Sequence, residues 1–255
     1  MPNFLIKKWY LDAADSHGNV FIGYWALLQW KKLTLHGYQL FHYSLKDGIK
    51  TQGGFIKQPE PLFRDNHLVW QPKNLKASWE SSSNSIREVL FNSEKGDIKW
   101  QCLQPTAKAK IQLPEFSFEG QGYTELIEIT LPIWNLPFKT LCWGRAHSKN
   151  HYLVWIKWDG VTKQNLVWHD GKRSNDLHIK DNLINGSNFR LKLGENNPLR
   201  QGRLTSTVFK PFNKIIRLFP KPTFLADEHK WLNYGFLETD SISEPATIIY
   251  EKVLW

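Results

Sequence analysis

Hydrophobic and polar residues alternate along much of the chain. From His151 to Trp158, Tyr, Val, Ile and Trp occupy every second position, as expected for one face of a β-strand. Segments of this kind recur about every ten residues and are separated by turn residues. Helical periodicity is weak, and only 227–233 is predicted to form a short helix. The pattern predicts an all-β protein, built as a barrel or a sandwich.

Turn signals support this assignment. Asp47-Gly48 follows one predicted strand and precedes another, which is the usual sequence of a tight hairpin. The same device recurs at four other places, 15–19, 95–97, 159–160 and 170–171.

Two stretches interrupt the strand pattern. The Ser-rich segment 77–85 is predicted to be an exposed loop, and 106–119 is predicted to be a second irregular region. A new strand is predicted to begin at Gly120. We therefore expect two domains of similar size, 1–118 and 119–255.

Aromatic residues are unusually abundant, with 13 Trp, 15 Phe and 8 Tyr. Indole rings bring a large contact area and one N–H that needs a partner. This composition fits the wall of a wide cavity, a sugar-stacking surface or a thick β core. The apolar fraction of 41% and the charged fraction of 22% are those of a folded globular protein rather than a disordered one.

The chain is basic, with a formal net charge of +9. Part of the excess lies in the region 189–217, which is a solvated face, a binding region for an anionic ligand group or a contact with membrane head groups. No zinc-finger, RNA-recognition or helix-turn-helix signature is present, so nucleic acid is not a predicted partner. The basic residues of this region are Arg190, Lys192, Arg200, Arg203, Lys210, Lys214 and Arg217.

Cellular location is predicted from sequence features that the chain lacks. Cys102 and Cys142 are far apart in apolar surroundings, so we expect buried free thiols rather than a disulfide framework. The first residues lack the apolar core of a signal peptide, and no stretch reaches the length of a membrane-spanning helix. A cytoplasmic protein is expected, with peripheral membrane contact through 189–217.

Glu125 is the first candidate catalytic residue. On a strand over 123–131 it shares a face with Ile127 and Ile129. A carboxylate on an apolar face must be paired or protonated, because burying an isolated charge is costly. A neutral carboxylic acid could protonate an alkene, epoxide or enol. The alternative is a structural ion pair with Arg145.

A second candidate group follows at 141–148. On a strand, Trp143, Arg145 and His147 project together, whereas the opposite face carries small residues. The Arg and His side chains could polarise a ligand carbonyl or hold Glu125. Each residue alone could also be structural.

The N-terminal strand supplies a third group. Tyr10 and Asp12 share a face, so Asp12 is a candidate acid or orienting group, or else a carboxylate that caps the following turn. No histidine has partners at metal-ligand spacing, so no metal site is predicted. The chain also lacks a phosphate-binding Gly-rich loop, a nucleophile elbow and a dinucleotide fingerprint.

Three motifs carry a family resemblance. They are the opening Trp9-Tyr10-x-Asp12 with its aromatic strand, the midpoint Gly120-x-Gly-Tyr-x-Glu125 leading to Trp143-Gly-Arg-x-His-Ser148, and the final strand 246–255. Together they resemble the carotenoid hydratase and AttH-like superfamily, which includes tocopherol-cyclase-like proteins. In several relatives an acidic residue precedes the midpoint Trp-Gly, whereas this chain has Cys142 there.

The resemblance implies two lipocalin-like β-barrel or half-barrel domains packed side by side, with a ligand between or within them. It also implies cyclisation, isomerisation or hydration of a bulky isoprenoid or polyketide-like compound, by acid–base side chains and without a redox cofactor. The resemblance maps the family's midpoint acid to Glu125, and the Trp and basic residue that follow it to Trp143 and Arg145. Taken together with the strand pattern, the predicted catalytic residues are Glu125, Arg145, His147 and Asp12, and the predicted substrate-binding residues are Tyr10, Tyr123, Trp143 and Trp155. The alternatives are a non-catalytic carrier of a hydrophobic ligand and a carbohydrate-binding or carbohydrate-active β protein.

Overall fold

The computed structural model describes residues 4–175, 177–180, 182–203 and 226–255. Over these ranges the chain is almost entirely β-strand, so the predicted all-β class is confirmed. The described residues contain no helix that is long and apolar enough to cross a membrane. The strands are β1 (Phe4–Ala14), β2 (Val20–Trp30), β3 (Leu33–Ser44), β4 (Gly48–Gly54), β5 (Leu62–Arg64), β6 (His67–Trp70), β7 (Lys76–Glu80), β8 (Ile86–Ser93), β9 (Gly96–Leu113), β10 (Phe116–Ile129), β11 (Phe138–His147), β12 (Tyr152–Gly160), β13 (Gln164–His169), β14 (Lys172–Arg173), β15 (His178–Lys180), β16 (Leu183–Asn185), β17 (Phe189–Lys192), β18 (Asn196–Arg203), β19 (Asp227–Thr239) and β20 (Ser243–Leu254), with a short 3₁₀ helix at Ile133–Asn135.

The strands form two antiparallel sheets of ten strands each, one of them a curled half-barrel. The first sheet has the order β4-β3-β2-β1-β10-β9-β7-β6-β5, with β8 also paired to β9. The second has the order β14-β13-β12-β11-β20-β19-β17-β16-β15, with β18 also paired to β19. The two strand orders correspond: each strand of the second sheet occupies the position of the first-sheet strand whose number is lower by ten. The two halves of the chain therefore share one topology, although no residue-level repeat is evident in the sequence.

The chain divides into two compact units, Met1–Asn135 (unit 1) and Leu136–Trp255 (unit 2). Residue 118, where the sequence analysis placed the domain boundary, lies inside β10 and so inside the sheet of unit 1.

The prediction of an irregular region at 106–119 is wrong, because β9 and β10 form a hairpin there. Ala107, Ala109 and Ile111 are buried in the core, whereas Lys108 and Lys110 between them are exposed. Small residues on the buried face weaken the hydrophobic signal of such a strand. The alternation of these small residues with lysines nevertheless has the two-residue period of a strand.

Two other assignments were also wrong in part or in full. The predicted loop 77–85 begins with strand β7, in which Trp79 is fully buried. The predicted helix 227–233 lies within β19. In β19 Glu228, Lys230 and Leu232 are all buried, and buried charged residues conceal the period-two pattern.

Each unit has its own apolar core. In unit 1, Trp9, Leu11 and Ala13 of β1 lie on the core side of the sheet, so Tyr10 and Asp12 point to the opposite side. The core of unit 1 consists of Trp9, Leu11, Ala13, Phe21, Trp25, Leu40, Leu68, Trp70, Leu75, Ala77, Trp79, Leu103, Ala107, Ala109, Ile111 and Leu126. The core of unit 2 consists of Ala146, Leu153, Trp155, Val167, Ile184, Phe189, Leu191, Leu237, Ala246 and Ile248.

Candidate functional site

The central strands of unit 1 carry a polar and aromatic cluster on the side away from its core. Strand β1 lies between β2 and β10, and the register places Tyr10 opposite Glu125 and Asp12 opposite Tyr123. Alternation along each strand sends these four side chains to the same face. We call them, with Trp100 and Cys102 of β9, the unit 1 cluster.

Glu125 receives two hydrogen bonds on one oxygen. The Trp100 indole N–H donates to its Oε2 at 2.6 Å, and the Tyr123 hydroxyl donates to the same atom at 2.7 Å. Trp100 and Tyr123 are buried, whereas Glu125 is partly exposed. Two buried donors therefore fix the position of the carboxyl group, and both of them bind Oε2.

A second carboxyl lies beside the first. The Tyr10 hydroxyl donates to Asp12 Oδ2 at 3.0 Å, and both residues are buried. The Tyr10 ring contacts the Tyr123 ring edge to face, with centroids 6.1 Å apart. Two phenol–carboxyl pairs therefore share one face of the sheet. This is an arrangement in which protons can be exchanged between neighbouring groups.

Burial keeps two titratable members of the cluster, Tyr123 and Cys102, protonated. Desolvation, followed by the charges and hydrogen bonds of neighbouring groups, raises the pKa of the Tyr123 hydroxyl well above its usual value. Desolvation likewise raises the pKa of the Cys102 thiol, with further contributions from the Glu125 and Asp12 charges. Tyr123 therefore remains a hydrogen-bond donor to Glu125 at neutral pH, and Cys102 remains a thiol.

The corresponding strands of unit 2, β11, β19 and β20, carry ion pairs instead. Lys230 is almost fully buried; its Nζ lies 2.5 Å from Glu251 Oε2 and over the Trp143 ring, 5.7 Å from the centroid. Arg145 is fully buried, and its guanidinium donates to the Thr247 carbonyl at 3.3 Å. These residues also lie away from the unit 2 core.

A further buried pair adjoins this group. Arg200 Nη1 lies 3.3 Å from Glu228 Oε1, and both side chains are at least nine-tenths buried. Buried charges of this kind fix local geometry, because breaking one partner leaves the other unpaired in a medium of low polarity.

The chain is similar to known proteins in structure but not in sequence. No family model matches the chain, and no curated protein matches its sequence. Among solved structures, CghA crystallised with Sch210972 matches with a TM-score of 0.55 and 10% identity, over 99% of this chain and 89% of CghA. A protein from Nitrosomonas europaea assigned as an AttH matches with a TM-score of 0.57 and 8% identity, over 99% of this chain and 93% of that one. The chain has the AttH/carotenoid hydratase-like fold.

Kievitone hydratase from Nectria haematococca shares this AttH-like fold, with a TM-score of 0.51 and 7% identity over 98% of this chain and 88% of the hydratase. The resemblance stated from the sequence motifs is thus confirmed for the fold. At these identities the likeness does not carry over catalytic residues or substrates.

Within the AttH-like fold, the predicted site residues fall into separate groups. Tyr10, Asp12, Tyr123 and Glu125 come together in the unit 1 cluster. The predicted catalytic roles of these residues remain predictions.

The predicted residues of unit 2 lie on two sides of its sheet. Trp143, Arg145 and His147 alternate on one face of β11 and are buried. Trp155 lies on the other face, inside the unit 2 core and against Gly144. Trp155 is therefore not grouped with Trp143 and Arg145, and its substrate-binding role stays a prediction.

Four residues of these groups were not predicted from the sequence: Trp100, Glu228, Lys230 and Glu251. Trp100 could have been found from β9, where Trp100 and Cys102 alternate toward the same side. The charged residues Glu228, Lys230 and Glu251 gave no usable sequence signal of a buried cluster, because Lys and Glu are rarely buried.

The basic region 189–217 is described only in part, and Lys210, Lys214 and Arg217 lie outside the described residues. Of the others, Arg200 is engaged with Glu228, and Lys192 pairs with Glu238 at 2.7 Å. The membrane contact predicted from this region remains a prediction.

Proposed function

We propose that this protein is an acid–base enzyme that cyclises, isomerises or hydrates a bulky hydrophobic isoprenoid or polyketide-like molecule without a redox cofactor. Glu125 is the proton-exchanging group. The observation that carries the proposal is the Glu125 carboxyl, partly exposed and fixed through Oε2 by the Trp100 and Tyr123 donors. Precise placement of one carboxyl by buried donors is what general acid–base catalysis needs.

The chemistry follows from the Glu125 carboxyl, which holds or accepts a proton while Trp100 and Tyr123 position it through Oε2. Transfer of that proton to an alkene or enol carbon leaves a cationic substrate, which neighbouring aromatic rings stabilise through their π faces. Loss of a different proton back to a carboxylate completes an isomerisation or a cyclisation. Attack by water, followed by loss of its proton to the carboxylate, completes a hydration.

Asp12 is the second proton-exchanging group of the proposal. It lies on the same face as Glu125 and is held by the Tyr10 hydroxyl, so the site contains two carboxyls in different surroundings. Two carboxyls in different environments can serve as acid and base in one cycle. Arg145, His147, Trp143 and Trp155 lie in unit 2, and the roles predicted for them, tuning the acid and contacting the substrate, stay predictions.

The structural comparisons support the substrate class only at the level of the fold. One protein with this fold is named a hydratase, and another was crystallised with the small molecule Sch210972. A carrier of a hydrophobic ligand would share the fold but would not require the two carboxyls. A carbohydrate-active protein would instead leave lipophiles unbound.

The experiment begins with ligand identification. Native mass spectrometry of the protein purified from its own host should reveal a co-purified lipophile, and its unreacted precursor then becomes the substrate. Single-turnover reactions are followed for wild type and for Glu125→Gln. Glu128→Gln is the matched control, because Glu128 is a partly buried glutamate of the same strand on the opposite face.

We expect Glu125→Gln to keep the fold and the affinity for the ligand but to lose turnover by about 10²–10⁴-fold, since Gln keeps the shape and lacks the proton. Glu128→Gln should react at the wild-type rate. Turnover of Glu125→Gln at the wild-type rate would remove Glu125 from the mechanism. A stability loss of about 3–5 kcal/mol in Glu125→Gln would instead assign it to a structural ion pair. Ligand binding with no turnover by wild type would favour a carrier.

A further inference from the structure

A group of metal-binding side chains lies at one end of the unit 2 sheet, among residues that the proposed function does not use. His151 precedes β12, His169 ends β13, and Asp170 begins the turn to β14. One ligand atom from each, two imidazole nitrogens and a carboxylate oxygen, lie within 4.8 Å of one another. The β12–β13 pairing brings His151 close to His169 and Asp170, although Asp170 lies 19 positions after His151 in the sequence.

The turn fixes the Asp170 carboxylate. Asp170 and Gly171 adopt positive φ angles of 49° and 77°, as in a tight hairpin turn. Asp170 N–H donates to the Tyr152 carbonyl at 3.0 Å, and Tyr152 N–H donates to Asp170 Oδ1 at 2.9 Å. The other oxygen, Oδ2, lies 2.6 Å from His151 Nδ1 and 3.5 Å from His169 Nε2. One carboxylate oxygen is therefore directed at both histidines.

His169 supplies a second, independent observation. Its side chain is only 10% exposed, and its Nε2 is buried without a hydrogen bond from any described residue. A hydrogen-bonded cluster would account for His151 and Asp170 but would leave this nitrogen unsatisfied. A metal ion would satisfy it.

We propose that His151, His169 and Asp170 form a three-ligand site for a divalent transition metal of the zinc class. Two imidazoles and one carboxylate with an open fourth position are the donor set of zinc sites that bind an exogenous ligand. Zinc–ligand bonds of about 2.0–2.2 Å place tetrahedral ligand atoms about 3.3–3.5 Å apart. The His169–Asp170 distance already fits, and the His151–Asp170 hydrogen bond has to open by less than about 1 Å.

The three residues adjoin a polar cavity of about 600 Å³. His151, His169 and Asp170 form part of its wall, and Lys172 and Arg173 add positive charge beside them. A cation flanked by Lys and Arg favours a small anionic ligand such as a carboxylate or phosphate. The site is thus suited to hold an anion on the metal, independently of the unit 1 cluster.

The test uses full-length protein without a histidine tag, stripped with a chelator and titrated with Zn²⁺ by calorimetry at neutral pH. We expect one tight equivalent of Zn²⁺ and, with Co²⁺, the visible absorption of a four-coordinate complex. His169→Ala and Asp170→Asn should each weaken binding by at least about ten-fold. His178→Ala is the matched control, because His178 is an exposed histidine of the same unit, and it should bind like wild type.

Circular dichroism checks that each variant is folded, and His151→Gln replaces any variant that is not. Absence of a stoichiometric Zn²⁺ equivalent in wild type would overturn the proposal. Equal Zn²⁺ affinity in wild type, His169→Ala and Asp170→Asn would do so as well. Inorganic phosphate added to the Co²⁺-loaded protein should alter its visible spectrum, because the fourth position accepts an anion, and an unchanged spectrum would contradict that part of the proposal.

Discussion

At the scale of single residues, hydrogen-bond donors decide what a carboxyl group can do. Alternation in the sequence placed Glu125 on the correct strand face, because period two depends only on backbone geometry. Trp100 as a donor to Glu125 was not predictable, since it depends on the pairing of β9 with β10. Sequence therefore identifies which face a residue lies on, whereas its partners follow from strand register.

Asp97 gives a pH-dependent test of the same principle. Hydrogen bonds from Thr130, at 2.5 Å, and then from Lys99 lower the pKa of Asp97 below its usual value. A carboxyl with a lowered folded pKa adds stability above its unfolded pKa, and this stability is lost as pH falls through the folded pKa. We expect Asp97→Asn to cost about 1 kcal/mol at neutral pH. Urea unfolding should show the difference shrinking toward zero in strong acid, and an equal difference at both pH values would contradict this account.

Cys102 and Cys142 should differ in reactivity. Neither forms a disulfide, but Cys102 is fully buried and its thiol pKa is raised by desolvation, whereas Cys142 is only partly buried. The thiolate is the nucleophile, so a buried thiol of raised pKa is inert. Alkylation of the native protein followed by peptide mass spectrometry should label Cys142 first and Cys102 only in denaturant. Labelling of Cys102 in the native state at a comparable rate would show that β9 opens.

At the scale of strands, small residues allow close packing across the sheet. Gly144 of β11 pairs with Trp155 of β12, and a Cβ at Gly144 would lie 2.1 Å from the Trp155 ring. The sequence indicated that small residues on this face permit close approach, but it did not show that an indole fills the space. The register between β11 and β12 supplied that information.

Gly144→Ala should therefore destabilise unit 2. The added methyl would force the Trp155 ring out of its place in the core, and overpacking of this kind costs about 1–3 kcal/mol. Gly54→Ala is the matched control, because Gly54 also lies in a strand and nothing lies within 4 Å of the point that its added methyl would occupy. Chemical denaturation of the two variants and wild type measures the effect. Similar stabilities for Gly144→Ala and wild type would mean that the indole has room to move.

At the scale of the whole molecule, the sequence predicted two similar halves but not their shared topology. A topology repeat depends on which strands pair, and the sequence carries pairing information only in turns between neighbouring strands. Short turns such as Asp47-Gly48 were predictable for this reason. Two central pairings behave differently: β1 with β10 in unit 1, and β11 with β20 in unit 2. Each joins segments about a hundred residues apart in sequence, so no local sequence signal predicts it.

The paired strands also predict where the chain can be divided. Every strand pairing in the described residues lies within one unit, and each unit has its own apolar core. Two co-expressed fragments, 1–135 and 136–255, should therefore both fold, with β-type circular dichroism and dispersed amide signals in nuclear magnetic resonance spectra. Division after residue 118 would cut β10, which lies between β1 and β9, and would separate its pairing residues from their partners. Fragments 1–118 and 119–255 should then give the narrow amide dispersion of unfolded chain for unit 1. Equal folding of both fragment pairs would show that β10 is dispensable for the unit 1 sheet.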